Sequence, residues 1–151
     1  MPVLSKKRTL WILVLLSVAL IVWLLAPSWL QGFNQNRQEE AQAQREAGLL
    51  AGQTSDQQGC LDQALRAFDL CPDSNFVCTV AQGTFLKACW EMAAPSEGFC
   101  EGVPEFTEKP TEDAKEWARY TCWEKNIRGE GCRLLLRQQQ QLCSASALPN
   151  S

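Results

Sequence analysis

The eight cysteines are the residues of this chain with the widest range of possible chemistry, and all of them lie C-terminal to Gly59. Thiol exchange favours a Cys-x-x-Cys pair, and metal sites favour ligands two to four residues apart. The closest pair here is Cys71 and Cys78, and the chain has no histidine. We therefore predict structural disulfides, and we expect no catalytic residue, no cofactor and no metal site.

Four of the cysteines, Cys60, Cys71, Cys78 and Cys89, form a mirror-symmetric pattern. The first two are 11 residues apart, the last two are 11 apart, and both the outer and the inner pair are centred between residues 74 and 75. Eleven residues make close to three helical turns, so each 11-residue pair lies on one helix face. Folding the chain at the midpoint predicts an antiparallel helical hairpin with disulfides Cys60–Cys89 and Cys71–Cys78.

This twin spacing resembles the helical hairpins of the mitochondrial twin Cx9C proteins, although ten residues separate each pair here instead of nine. It is also similar to the disulfide-linked helix pairs of secreted Sel1-like repeat proteins. The resemblance covers residues 60–89. It implies a scaffold or interaction role and carries over no site residue.

The other four cysteines leave two pairings open. Cys132 and Cys143 repeat the 11-residue spacing, and a second hairpin about residues 129–131 would bring Cys143 close to the start of the preceding helix. The favoured pairs are Cys100–Cys143 and Cys122–Cys132. The alternative is Cys100–Cys132 with Cys122–Cys143.

The residues around these cysteines predict an all-α domain of about four helices in two antiparallel hairpins. Ser55 or Asp56, then Ser74, and then Thr111 are suitable N-caps for the first three helices. Pro72, Pro95 and the glycines of residues 129–131 end them, and the fourth helix covers about 132–144. The apolar residues expected on the first two helices are Leu61, Leu65, Phe68, Leu70, Phe76, Val77, Val80, Phe85, Leu86 and Trp90.

An uncharged run of 17 residues, Leu10 to Ala26, precedes the domain. Together with its flanks it approaches the length of a bilayer core, and tryptophans lie near both ends. Lys6, Lys7 and Arg8 precede the run, so the positive-inside rule predicts a cytoplasmic N-terminus. We expect a single transmembrane helix that is not cleaved. The alternative is a cleaved signal peptide, but no small-residue cleavage site lies close to the end of the run, and Ala41-Gln42-Ala43 is far downstream.

These signals predict five segments along the chain. They are a cytoplasmic N-terminus (1–8), a transmembrane anchor (9–30), a polar helical stalk and linker (31–59), the cysteine-rich helical domain (60–146) and a C-terminal tail (147–151). Gly48 and Gly52, followed by the segment 54–59, are expected to form the hinge before the domain.

The charge and the cysteine content restrict the cellular compartment and the kinds of partner that the sequence predicts. An even number of cysteines in so short a domain is typical of an oxidising compartment. Without its three N-terminal basic residues the chain has 11 basic and 17 acidic residues, a net charge of −6. A negative net charge does not favour binding to nucleic acid or anionic lipid, which are themselves negatively charged. No Asn-x-Ser/Thr site occurs, so we expect the inner membrane of a bacterium, with the domain in the periplasm.

These features favour an accessory or interaction protein of the cell envelope over an enzyme. The membrane and another envelope protein are the expected partners, with no small-molecule substrate. Trp117 is expected in the core, and Tyr120 and Trp123 are candidates for an interaction surface, although Tyr120 shares the helical spacing of Trp117. One alternative is a tethered inhibitor or immunity-type protein that blocks a basic cleft, and a further one is a thiol-redox or metal-handling protein.

Overall fold

The computed structural model describes the backbone of residues 6–147, and the side chains of that range except those of 6, 7, 9, 25–30, 33, 146 and 147. Apart from one isolated β-bridge between Asp56 and Ala94, its regular secondary structure is helical, so the predicted all-α class is confirmed. Parts of the predicted N-terminus (1–5) and tail (148–151) lie outside the described residues. The helices are α1 (Lys6–Gly52), α2 (Gln57–Asp69), α3 (Asn75–Met92), α4 (Glu112–Glu124) and α5 (Glu130–Ala147).

The chain divides into two compact units, residues 1–39 and residues 40–151. In the first unit, every described side chain from 10 to 24 is exposed. No helix within the described residues combines the length and the apolar character needed to cross a membrane. Of the predicted span 9–30, the side chains of 9 and 25–30 lie outside the described part of the chain.

The second unit contains the C-terminal part of α1 and two helical hairpins. Helix α2 packs against α3, α4 packs against α5, and α5 also contacts both α2 and α3. The residues buried between them are small or aliphatic, together with cysteines and two phenylalanines. They are Cys60, Leu61, Ala64, Leu65, Phe68, Cys78, Leu86, Cys89, Phe99, Ala118, Cys122, Ile127, Cys132, Leu135 and Leu136.

All eight cysteines form disulfides, in the pairs that the sequence favours. In each pair the two Cα atoms lie within the range of about 4.4–6.8 Å that a disulfide can bridge. The Cα–Cα distances are 5.7 Å for Cys60–Cys89, 6.0 Å for Cys71–Cys78, 5.6 Å for Cys100–Cys143 and 6.1 Å for Cys122–Cys132.

The disulfides differ in how strongly they restrict the unfolded chain. Cys60–Cys89 closes a separation of 29 residues and Cys71–Cys78 one of 7. On the chain-entropy estimate these loops correspond to about 3.6 and about 2.5 kcal/mol of stabilisation. Cys60 and Cys89 are also completely buried, so this bridge is part of the core as well as a cross-link.

Three helices begin at side-chain caps that the sequence predicts. The Asp56 carboxylate accepts a hydrogen bond from the Gly59 N–H at 2.7 Å, so Asp56 and not Ser55 caps α2. The Ser74 hydroxyl accepts from the third residue of α3, and the Thr111 hydroxyl accepts from the third residue of α4. Each cap satisfies a backbone donor that has no partner within the helix.

Gly48 and Gly52 do not form the expected hinge. Helix α1 continues through both glycines, and both are buried. A Cβ on Gly48 would lie 2.5 Å from the Phe85 carbonyl oxygen and 2.8 Å from Ala88 Cβ, and a Cβ on Gly52 would overlap the Cys89 carbonyl. These glycines therefore allow α1 to approach the backbone of α3. The chain turns later, at residues 53–55.

Leu70, which is expected on the apolar side of α2, is 82% exposed, and the α3 residues Phe76 and Val80 are 77% and 51% exposed. The buried stripe of α2 runs through Leu61, Leu65 and Phe68, and Leu70 lies beyond the helix. Helix α3 buries residues 78, 82, 86 and 89, and positions 76 and 80 are each about 200° from position 78. Helix α3 therefore turns Phe76 and Val80 outward, while its other two aromatic residues, Phe85 and Trp90, pack against the core.

The start of α5 lies against α2 and α3 at Gly131, which is buried. A Cβ at this position would overlap the Phe68 ring and the Thr79 hydroxyl.

We predict that Gly131→Ala lowers the free energy of unfolding by about 1–3 kcal/mol, as is usual when a well-packed core is overfilled. Gly32→Ala is the matched control, because a Cβ on this helical glycine would have no atom within 4 Å. Denaturant unfolding followed by circular dichroism measures both, and equal stability of Gly131→Ala and the wild type would contradict this packing.

Candidate functional site

Helix α4 presents an aromatic pair on its outer face. Ala114, Ala118 and Cys122 form its buried stripe, at positions four residues apart. Tyr120 and Trp123 point away from this stripe and are 55% and 72% exposed. Their ring centroids are 5.6 Å apart with an interplanar angle of 58°, a tilted arrangement that aromatic pairs favour. The two residues that the sequence indicates as a possible interaction surface therefore lie together on the exterior.

Trp117 and Tyr120 differ in burial, although their spacing of three residues is typical of a single apolar stripe. Trp117 is half-buried and packs against the core. Tyr120 lies two residues from Ala118, which places it about 200° round the helix from the buried stripe. Its expected place in the stripe of Trp117 is therefore wrong, and its assignment to the surface is the one that the structure supports.

A Schellman motif ends α4 directly after Trp123. The Asn126 N–H donates to the Trp123 carbonyl at 2.9 Å, and the Ile127 N–H donates to the Cys122 carbonyl at 2.9 Å. Asn126 has φ 57°, the left-handed conformation that this motif requires and that asparagine tolerates. The helix therefore ends at Glu124 and not at residues 128–131. The sequence signal for this end is the asparagine followed by an apolar residue, Ile127, which is buried in the core.

The aromatic pair is held on a rigid support. Cys122, next to Trp123, is bonded to Cys132 across the turn between α4 and α5. This disulfide and the Schellman motif fix the end of α4 from two sides. A binding surface that is already ordered loses less conformational entropy on association, so this arrangement suits recognition.

A pocket of about 280 Å³ adjoins the aromatic pair. Trp123 and Ile127 form part of its wall, and three arginines, Arg119, Arg128 and Arg133, line the rest with the turn after α4. Arg133 forms an ion pair with Glu130 in the first turn of α5. The pocket beside Trp123 is therefore basic, although the chain is acidic overall.

The ion pair between Lys125 and Asp62 joins the end of α4 to α2, with Lys125 Nζ 3.0 Å from an Asp62 carboxylate oxygen. Partial burial by itself raises the pKa of Asp62. The hydrogen bonds from Lys125 and Gln58 and the positive charges of Lys125 and Arg66 outweigh it, so that the pKa lies below its ordinary value of 3.8. Lys125 is the C-cap of α4, so this contact helps to position the helix end that carries Trp123.

No cysteine is free, and no group of three or more histidine, cysteine, aspartate or glutamate side chains in the described part of the chain is arranged to hold a metal ion. No protein-family model, curated protein or solved structure matches the chain. The candidate site is therefore defined by its own geometry, as an exposed aromatic pair beside a basic pocket.

We predict that Lys125→Gln destabilises the domain at neutral pH by less than about 1 kcal/mol, because the ion pair is partly exposed. Since the pKa of Asp62 is lowered by folding, the carboxylate stabilises the folded state above pH 3.8, and this stabilisation is lost as the pH falls through the folded pKa. The difference from the wild type should therefore shrink below pH 3.8. Lys87→Gln, at an exposed lysine, is the control and should show no such dependence. A constant difference for Lys125→Gln from pH 7 to pH 2 in urea unfolding would contradict the role of Asp62.

Proposed function

We propose that this chain is a single-pass, membrane-anchored interaction or accessory protein of the cell envelope, whose disulfide-stabilised helical domain binds another envelope protein. The observation that carries the proposal is the exposed pair Tyr120–Trp123 on a helix end fixed by the Cys122–Cys132 disulfide. Large aromatic side chains are enriched at interfaces, where they bury much area at a low entropic cost. A rigid aromatic surface of this kind suits binding better than catalysis.

The anchor is proposed from the N-terminal apolar run. Its side chains from Leu10 to Leu24 carry no charge and are exposed, and in the sequence the run continues to Ala26. A contiguous apolar surface of this size calls for an apolar environment. The basic residues at 6–8 favour a cytoplasmic N-terminus, and four disulfides suit an oxidising compartment on the other side of an inner membrane.

The charge around Trp123 indicates the kind of partner surface. Arg119, Arg128 and Arg133 line the neighbouring pocket, so an acidic partner surface is complementary to it. A domain that blocks a basic cleft would present carboxylates beside its aromatic anchors. The basic pocket therefore favours an accessory protein with an acidic partner over an inhibitor of that type.

We predict that the full-length chain, tagged and purified from detergent-solubilised membranes of its own host, retains a defined partner that mass spectrometry identifies. The double substitution Tyr120→Ala and Trp123→Ala should reduce capture about 30-fold, since central aromatic residues of interfaces contribute about 2 kcal/mol or more. Met92→Ala is the control, because Met92 is an exposed apolar residue at the end of α3. Undiminished capture of the same partner by the double variant would rule out this surface as the binding site.

We predict that a reporter that is active only in the periplasm is active when fused after residue 151 and inactive when fused after Arg8. The positive-inside rule and the disulfides give this orientation. The chain should also stay with the membrane during alkaline extraction. Recovery of the cysteine-rich domain in the soluble periplasmic fraction, with residues 1–30 removed, would show a cleaved signal peptide instead of an anchor.

A further inference from the structure

A groove of about 380 Å³ runs between α4 and α5 and adjoins the pocket beside Trp123, and Arg119 and Arg133 line both cavities. Five cations line the two cavities, and Glu130 supplies the one carboxylate among the lining residues. The cations are Lys115, Arg119, Arg128, Arg133 and Arg137.

Three of these five cations form no ion pair with a carboxylate within the described part of the chain. Lys115 pairs with Glu112, and Arg133 pairs with Glu130. Arg119 and Arg128 form no such pair, although Arg119 is close enough to Glu112 to help lower the pKa of that carboxyl. Arg137 donates to the backbone carbonyls of Thr107 and Glu108 and lies over the Phe106 ring. These contacts hold the guanidinium in place, and none of the contacting groups carries a negative charge.

The groove also contains a buried donor without an acceptor. Gln140 lines the groove and is only 3% exposed, and its side-chain Nε2 has no hydrogen-bond partner. A buried N–H group without an acceptor is unfavourable, so an acceptor brought by a ligand would be stabilised there. The arginines and lysine supply donors only, and a ligand of the groove must therefore supply acceptors.

We propose that this groove binds an acidic, extended segment of the partner protein, with glutamate or aspartate carboxylates facing the cations and Gln140, and an apolar side chain between them. The inference rests on the proposed function and specifies the chemistry of the partner. Trp123 lines the adjoining pocket, so the aromatic pair Tyr120–Trp123 completes the same binding surface.

The dimensions favour a peptide segment over a small anion. Lys115 and Trp123 are eight residues apart on α4, a distance of about 12 Å along the axis and the length of about four residues of an extended chain. Ala114, Ala118 and Leu134 line the groove between the cations, so it offers apolar contacts that a free phosphate cannot use. Alternating carboxylates and apolar side chains fit this lining.

A second copy of this chain is a less suitable occupant. Its most acidic irregular segment, residues 97–108, carries four glutamates. The backbone of that segment is held against α5 by the Cys100–Cys143 disulfide, by Arg137 and by the hydrogen bond from the Phe106 N–H to the Ser144 hydroxyl. It is therefore not free to extend along the groove of another molecule.

The test is fluorescence anisotropy of the full-length chain in detergent with a labelled peptide of alternating glutamate and leucine, compared with a peptide of alternating glutamine and leucine. The wild type should bind the glutamate peptide and not the glutamine peptide. Arg119→Gln should weaken binding about tenfold, the equivalent of one charge-assisted hydrogen bond. Lys87→Gln is the control, because Lys87 is an exposed cation on α3, outside the groove.

Gln140→Leu distinguishes a role of this residue in peptide binding from a role in stability. It removes the donor while keeping much of the side-chain volume, so the melting temperature should be retained or raised, while peptide binding weakens. Unchanged peptide binding by Arg119→Gln or by Gln140→Leu would overturn the proposal.

Three other results would also exclude a partner segment. They are equal binding of the glutamine peptide, displacement of the glutamate peptide by inorganic phosphate alone, and a concentration-dependent dimer that competes with the peptide. Because the probe is a defined peptide, the outcome is independent of the capture experiment. A chain that captures an envelope partner through Trp123 but does not bind the glutamate peptide keeps the proposed function and loses this inference.

Discussion

The Cys60–Cys89 disulfide is the constraint on which the rest of the domain depends. It joins α2 to α3 at the centre of the core, where both cysteines are completely buried. Helix α5 packs against this hairpin, and it carries the two cysteines that fix α4 and the loop before it. A domain of this size buries only a modest apolar area, so cross-links that restrict the unfolded chain supply much of its stability.

Close backbone approach is the second feature of the packing. Gly48, Gly52 and Gly131 lie where a side chain would overlap a neighbouring helix. Helices that approach so closely leave little space between them for large side chains, and the buried set contains mainly alanine, leucine and cysteine, with only two phenylalanines. Several large apolar residues consequently remain outside the core, and on α4 two of them form the aromatic pair proposed to bind a partner.

Charge is distributed unevenly over the domain, which explains how an acidic chain can present a basic surface. Acidic and basic residues alternate along α4, but Lys115 and Arg119 are four residues apart and line the side facing α5. Helix α5 places Arg133 and Arg137 opposite them with the same spacing. At physiological ionic strength the Debye length is about 8 Å, so a ligand in the groove experiences these cations more than the distant carboxylates.

The sequence by itself determined the helical class, the caps Ser74 and Thr111, and the pairs Cys60–Cys89 and Cys71–Cys78, because each follows from helical spacing or from hydrogen bonds within a few residues. It left Ser55 or Asp56 open as the cap of α2 and two pairings open for the other four cysteines, and the structure selected Asp56, Cys100–Cys143 and Cys122–Cys132. The tertiary structure alone decided which helix faces are buried. It exposed Tyr120 and Phe76, buried Gly48 and Gly52, and brought Arg119 beside Arg133 with Gln140 between the two helices. These outcomes depend on the rotation and spacing of helices that pack across the chain, and a single helix's periodicity does not contain that information.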